Sequence, residues 1–156
     1  VEGVDGRIDR ARAFGADHVV DFREYETVED RVDRVQELTN GQGADVGVEV
    51  AGVPEAFAEG VQLVRPGGRF LEIGNVSPGK LTEFDPGSLT RSMVDIYPAI
   101  RYDPWYLRKA LEFLSAHADD YPYDELIDSE FDLVDVSDAL HRSDSREVTR
   151  ATLLPH

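Results

Sequence analysis

The chain has 156 residues, 41% of them hydrophobic and 9% aromatic, which suits one folded domain with a substantial core and excludes a disordered chain. Thirty-two acidic residues face sixteen basic ones, a formal net charge of −16, and a surface this negative argues against nucleic acid, whose phosphates need a basic patch. Cysteine is absent, which removes disulfides, thiolate catalysis and cysteine-held zinc from this chain, and no apolar run nears the roughly 18–20 residues that span a bilayer.

Only two of the basic residues are lysine, Lys80 and Lys109, and the rest are arginine. Acid excess with so little lysine keeps a surface hydrated where salt screens charge repulsion, so the composition suggests a soluble protein of a salt-adapted cytoplasm. An acidic protein of an ordinary cytoplasm is the other reading. The four histidines, His18, His117, His141 and His156, are scattered, and no two stand at metal-ligand spacing.

Taken in chain order, VEGVD reads as a buried strand with an acidic tip. Residues 7–14 predict a helix with Ile8, Ala11 and Phe14 on one face, stopped by Gly15, and HVVDF predicts the next strand. Thr27 caps a further helix, with Asp30 three residues on as an approximate capping box. Val28, Val32, Val35 and Leu38 recur there at helical spacing, while Glu29, Asp30, Arg31, Asp33, Arg34 and Glu37 read as its solvated face. NGQG then ends the element, and ADVGVEVAG suits a strand covered on both faces.

Pro54 opens the next helix, with Ala56, Phe57, Val61 and Val64 facing inward. RPGG reads as a turn and RFLEIGN as a strand, followed by a loop through VSPGKLTEFDPGSL and a strand in SMVDIYPAI. DPWYLRKALEFLSAHA is strongly amphipathic, with Trp105, Leu107, Ala110, Leu111 and Leu114 as the expected core side. A short strand near residues 126–127, a helix over 135–142 and a last strand in TRATLLP complete the chain. Strands alternating with helices imply βαβ units, right-handed crossovers and a parallel sheet.

In an open parallel sheet, ligands gather beyond the carboxyl ends of the strands. The residues at those tips are Asp5, Asp21, Ala51, Gly52 and Val53, and Ile73, Gly74 and Asn75. A carboxylate at Asp5 is placed either to accept hydrogen bonds from an adenosine ribose, which favours NAD over NADP, or to cap the helix that follows. Arg7 and Arg10 stand close enough to weaken that preference. Gly52 and Gly74 end strands where backbone must come close to something, either a flat ring or a tight turn. No G-x-G-x-x-G occurs in the sequence, nor a P-loop, a G-x-S-x-G elbow or a carboxylate–histidine constellation, so no self-contained catalytic residues emerge.

These residues together resemble the medium-chain dehydrogenase/reductase family, the zinc-type alcohol dehydrogenases. VEGVDGRIDRARAFGADHVVDF is similar to that family's second strand, helix and third strand. VQELTNGQGADVGVEVAGVPEAFAEGVQLVRPGGRFLEIGN resembles the stretch that follows, and DSEFDLVDVSDAL with EVTRATLLP resembles the segment returning to the catalytic domain. The resemblance implies an incomplete Rossmann-type parallel sheet flanked by helices over residues 1–97, and a helix and C-terminal segment of the catalytic domain over 98–156. It implies, too, that the glycine-rich turn and the zinc ligands belong to a first half outside this sequence, so this chain alone should not oxidise alcohols.

Carried over position by position, Asp5 matches the acid at the adenosine ribose. Ala51, Gly52 and Val53 match the turn near the riboses, and Ile73 and Gly74 the strand end at the nicotinamide carboxamide. Val94 to Ile96 fall near a second carboxamide contact, with Asp95 where small residues are common in the family. Arg150 matches a basic residue that reaches the cofactor pyrophosphate, and is otherwise a surface arginine. The implied cofactors are NAD or NADP, with zinc in the full-length protein, and the implied substrate is a small alcohol, polyol or aldehyde. The family's habit of pairing edge strands suggests a homodimer through residues 92–100.

Two other readings stay open: an S-adenosylmethionine-dependent methyltransferase, which also places an acid after strand two, and a non-catalytic dimerisation module. The usual strand order also leaves VEGVD without an inner neighbour, so it is expected to close onto the ADVGVEV strand or pair with another chain.

Overall fold

The computed structural model describes residues 1–145 and 147–155; His156, counted with the scattered histidines, lies outside them. Two compact units make up the chain. The first comprises Val1–Glu2 and Val20–Tyr106, and the second Gly3–Val19 and Leu107–His156.

In the first unit, β1 (Ala44–Glu49), β2 (Val64–Glu72) and β3 (Asp95–Pro98) form a parallel sheet in the order β1-β2-β3. Helix α3 (Pro54–Leu63) crosses from β1 to β2, and α4 (Pro86–Ser92) lies on the path from β2 to β3. This is the expected α/β architecture of a Rossmann-type sheet. Its core holds Val61, Val64, Phe70 and Val94, with Phe57, Phe84, Leu89 and Ile96 packed against them. Phe70 is the most buried side chain at 1% exposure, and Phe57 meets it edge-on with ring centroids 5.8 Å apart.

Helix α2 (Val28–Leu38) begins at the expected capping box. The Asp30 N–H donates to the Thr27 hydroxyl at 3.1 Å, and the Thr27 N–H donates to the Asp30 carboxylate at 3.2 Å. These bonds hold the Asp30 carboxyl below its usual range. Arg31 departs from its assignment to the solvated face: it is buried. It sits three residues after Val28 and four before Val35, so it shares their stripe.

Several expectations need correction. VEGVD and HVVDF form no continuous strands but one parallel bridge, Glu2 with Asp21, closed by bonds of 3.1 and 3.3 Å. A pair this short is marginal as a ladder. Among the described residues, β1 pairs with β2 and not with VEGVD, so the expected closure between them does not form within the chain. The β1 strand is covered on one face only. Val46 and Val48 are 52% and 54% exposed, whereas Gly47 on the other face lies so near Phe70 that an added Cβ would sit 2.7 Å from its ring.

RPGG is no simple turn between elements but lies within β2. The register jumps there from Ala44–Val64 to Val46–Arg69, a bulge that Gly67 accommodates at φ +69°. The loop expected after Asn75 contains α4, which Pro86 opens as the Asp85 carboxylate accepts from the Gly87 N–H at 2.8 Å.

Helix α5 (Trp105–Ala116) forms as predicted, yet its expected core side is exposed: Trp105, Leu107, Leu111 and Leu114 range from 42% to 67%. Helical spacing fixes which residues share a face, not whether that face is covered.

The second unit contains α1 (Asp5–Ala13), α6 (Val136–Asp144) and a parallel pair, β4 (Ser129–Asp132) with β5 (Ala151–Leu154). Tyr123–Leu126 is a 3-10 turn, so the strand expected near residues 126–127 begins later, at Ser129. Ile8, Phe131, Ala139 and Val148 are its buried apolar residues, and Phe14 stacks on Tyr121 and meets Tyr123 edge-on.

Candidate functional site

The strands of the first unit place three turns at their carboxyl ends. One follows Asp21, the bridge partner of Glu2, while residues 50–53 follow β1 and residues 73–75 follow β2. The last two turns lie side by side because Glu49 and Glu72 are register partners.

Glu49 joins them. The residue is 5% exposed, and its carboxylate accepts from the Gly52 N–H at 2.7 Å and the Gly74 N–H at 3.0 Å. Its backbone carbonyl accepts from the N–H groups of Ile73 and Gly74, each at 3.1 Å. Strand alternation explains the placement: Val46, Val48 and Val50 point to the open face, which leaves Gly47 and Glu49 on the covered one. Glu49 escaped the site prediction, although a lone carboxylate in an apolar strand just before a glycine was a readable signal.

The glycines are required by contact. At Gly74 an added Cβ would overlap the Glu49 carboxylate and come 2.5 Å from the Gly52 nitrogen. At Gly52, φ is +72° and a Cβ would sit 2.9 Å from the Gly74 oxygen. Both predicted glycines therefore meet each other across the strand ends. Asn75 ties in the second acid: its N–H and its side-chain amide both donate to Glu72 Oε1 at 3.0 Å, and the amide also reaches Glu49 Oε2 at 3.3 Å. Glu72 Oε2 is buried without a hydrogen-bond partner.

An open cleft of about 310 Å³ adjoins this corner, lined by Pro54, Phe57, Glu72, Asn75, Lys80 and Thr82. Ala51, Val53 and Ile73 are exposed at the strand ends. The N–H groups of Gly52, Ile73 and Gly74 are already bonded to Glu49, so what these three residues offer a ligand is carbonyl oxygen and apolar surface. Asp21 is engaged by Arg23, whose guanidinium and N–H donate to it and hold its carboxyl down at about 2.

The other two predicted residues belong to the second unit. Asp5 is exposed and is the first residue of α1, one position after the N-cap Val4, where a carboxylate is favoured by the helix dipole. Arg150 is exposed and immediately precedes β5. Its N–H and that of Thr149 donate to Asp128 at 3.0 and 2.8 Å, and Arg10 approaches the same carboxylate at 3.5 Å. Val94 is buried and Asp95 exposed at the start of β3. Among the described residues, no three acidic or histidine side chains cluster to hold a metal.

A parallel sheet with a helical crossover, and its glycine turns gathered at the carboxyl ends of the strands, defines a Rossmann-type ligand-binding fold. Residues 1–116 match the zinc-binding dehydrogenase family, and the chain belongs to that family. It is 32% identical over 134 residues to 5-exo-hydroxycamphor dehydrogenase from Pseudomonas putida, covering 86% of this chain and 37% of that protein. It is 41% identical over 81 residues to L-threonine 3-dehydrogenase from Pyrococcus horikoshii, covering 52% of this chain and 22% of that one. An alcohol dehydrogenase structure from Thermotoga maritima superposes with a TM-score of 0.89 at 27% identity, over 99% of this chain and 42% of its own. The chain thus spans less than half the length of these relatives. The match sets the methyltransferase reading aside.

Proposed function

We propose that this chain is the cofactor-binding portion of an NAD(P)-dependent dehydrogenase acting on a small alcohol, polyol or aldehyde. The observation that carries the reading is the pair of glycine turns locked at the carboxyl ends of β1 and β2, in a chain of the zinc-binding dehydrogenase family. Residues 1–97 are proposed as the dinucleotide-binding part and 98–156 as a helix and segment of the catalytic domain.

The bound nicotinamide supplies the hydride acceptor. The chain's own residues bind and orient it: carbonyls and apolar surface at Ala51, Gly52, Val53, Ile73 and Gly74 suit a flat ring bearing amide donors. Asp5 is proposed to accept from the adenosine ribose, favouring NAD over NADP, and Arg150 to meet the pyrophosphate. Zinc does not fit this chain: it has no cysteine, and its described residues offer no metal-ligand cluster. The fragment is therefore proposed to be inactive by itself, with any zinc held elsewhere in a longer protein.

Finer proposals are a homodimer paired through the 92–100 edge and a salt-adapted cytoplasm. No helix among the described residues is long and apolar enough to cross a membrane. Titration of the purified chain in molar salt with NADH and with S-adenosylmethionine tests the reading. Saturable NADH binding is expected; S-adenosylmethionine binding without NADH binding overturns it.

A further inference from the structure

Among the buried residues of the first unit stand two with ionisable side chains, Arg31 and Glu49, and Glu49 alone of the two lies at the carboxyl end of a strand. Burying a carboxylate is unfavourable unless hydrogen bonds replace its water. Here they come from two different turns: one oxygen takes the Gly52 N–H, the other the Gly74 N–H and the Asn75 amide. The same residue's carbonyl takes the N–H of Ile73. The turns after β1 and β2 are thus both bonded to one side chain, and neither glycine tolerates a Cβ at the junction.

We propose that Glu49 is a positioning residue that holds these two turns in one fixed relation, so that both present their carbonyls and apolar surface to a ligand at once. This rests on reading the turns as cofactor contacts. A carboxylate suits the task because it has two acceptor oxygens and no donor. Glutamine has the same shape but would turn an N–H₂ toward one of the glycine N–H groups, leaving two donors opposed.

Two measurements on the 156-residue chain separate the parts of this proposal. In amide hydrogen exchange of the unaltered chain, Gly52 and Gly74 should both be protected although they lie in turns, because one residue accepts from both. Rapid exchange of either amide overturns the staple without any variant having to fold. NADH titration then compares the unaltered chain with Glu49→Gln. The variant should keep the amide spectrum of the core around Phe70, yet bind NADH about tenfold more weakly, in line with losing a hydrogen bond to a charged group. Equal binding by a variant whose Gly52 amide has lost its protection overturns the positioning role. Absence of NADH binding by the unaltered chain overturns the cofactor reading instead, and the amide protection still decides whether Glu49 joins the turns.

Discussion

Arg31 and Glu59 join α2 to α3 through a bidentate ion pair, Nε to Oε1 and Nη2 to Oε2, each at 2.7 Å. The third guanidinium nitrogen donates to the carbonyls of Tyr25 and Glu26, at 2.7 and 2.9 Å. Every arm of the group is thus used, and the Glu59 carboxylate holds the Arg31 proton more firmly than usual. The Arg31→Ala change should therefore lower unfolding free energy by about 2–4 kcal/mol, since it leaves Glu59 partly buried and unpaired and two carbonyls without donors. Urea unfolding measures it. A loss within the ordinary range of a surface substitution would show that the pair contributes little.

Much of α2 is legible in its sequence, and Arg31 shows where that reading stops. Thr27, Asp30 and the valine spacing are local signals, and the capping box forms as they indicate. Arg31 lies on the same stripe as those valines, but residue type argued for solvent and spacing for burial. The deciding partner, Glu59, is 28 positions away. The same distinction holds at the site. Gly52 and Gly74 were readable as close approaches, while the reason for them, Glu49, depends on register between β1 and β2. Where sequence reasoning failed outright, as on the exposed Val46 face and on α5, the pattern gave the face correctly but not its covering.

Glycine substitutions separate contact from conformation. Gly74→Ala puts a Cβ against the Glu49 carboxylate and the Gly52 backbone, neither of which can yield without breaking the junction. It should cost about 1–3 kcal/mol as overpacking and weaken NADH binding with it. Gly67→Ala meets nothing within 4 Å and is opposed only by φ +69°. It should cost about 1–2 kcal/mol and leave NADH binding unchanged. Thermal melts with and without NADH distinguish the two, and equal ligand effects for both variants would contradict the assignment of Gly74.

Acid should act through Asp128. Burial pushes its carboxyl up, but the Arg150 and Thr149 N–H groups, with Arg10 nearby, outweigh that and hold it at about 2. An aspartate in the unfolded chain titrates near 3.9, roughly its free value. The folded value is the lower one, so this carboxylate's stabilisation is complete above about pH 4 and is lost as the pH falls toward 2. Asp128→Asn should melt lower than the unaltered chain at neutral pH and converge with it near pH 2. Asp21 is also held at about 2, by Arg23. That partner is only two residues away, so part of the bond persists on unfolding and Asp21→Asn should have the smaller effect. Parallel melting curves for Asp128→Asn across the whole range would refute the linkage.

The proposed homodimer can be tested at β3. One side of this strand pairs with β2, and Tyr97 and Ile100 are 50% and 66% exposed. A lysine at an edge opposes pairing with a second copy, because pairing would bring like charges together in a desolvated position. If two chains join through residues 92–100, Ile100→Lys should shift the sedimentation profile toward monomer without changing the melt of the first unit. A profile identical to that of the unaltered chain would remove this edge as the interface.

Salt should stabilise the chain. Two opposing effects compete: screening weakens ion pairs, and it also relieves repulsion among the 32 acidic residues that only 16 basic ones offset. Most of the ion pairs among the described residues are exposed or link residues close in sequence, such as Arg108 with Glu112 and Arg34 with Glu37, and contribute little. The part-buried Arg31–Glu59 pair is screened little. Repulsion acts over the whole surface and reaches roughly 10 Å at 0.1 M salt but only about 3 Å at 1 M. Relief of repulsion therefore wins, and the melting temperature should climb steadily from low salt to molar potassium chloride. The same titration on a variant with several surface acids changed to their amides should show a shallower slope. A melting temperature that falls with salt would mean that the ion pairs outweigh the acid excess, and with it the composition argument for a salt-adapted cytoplasm would fail.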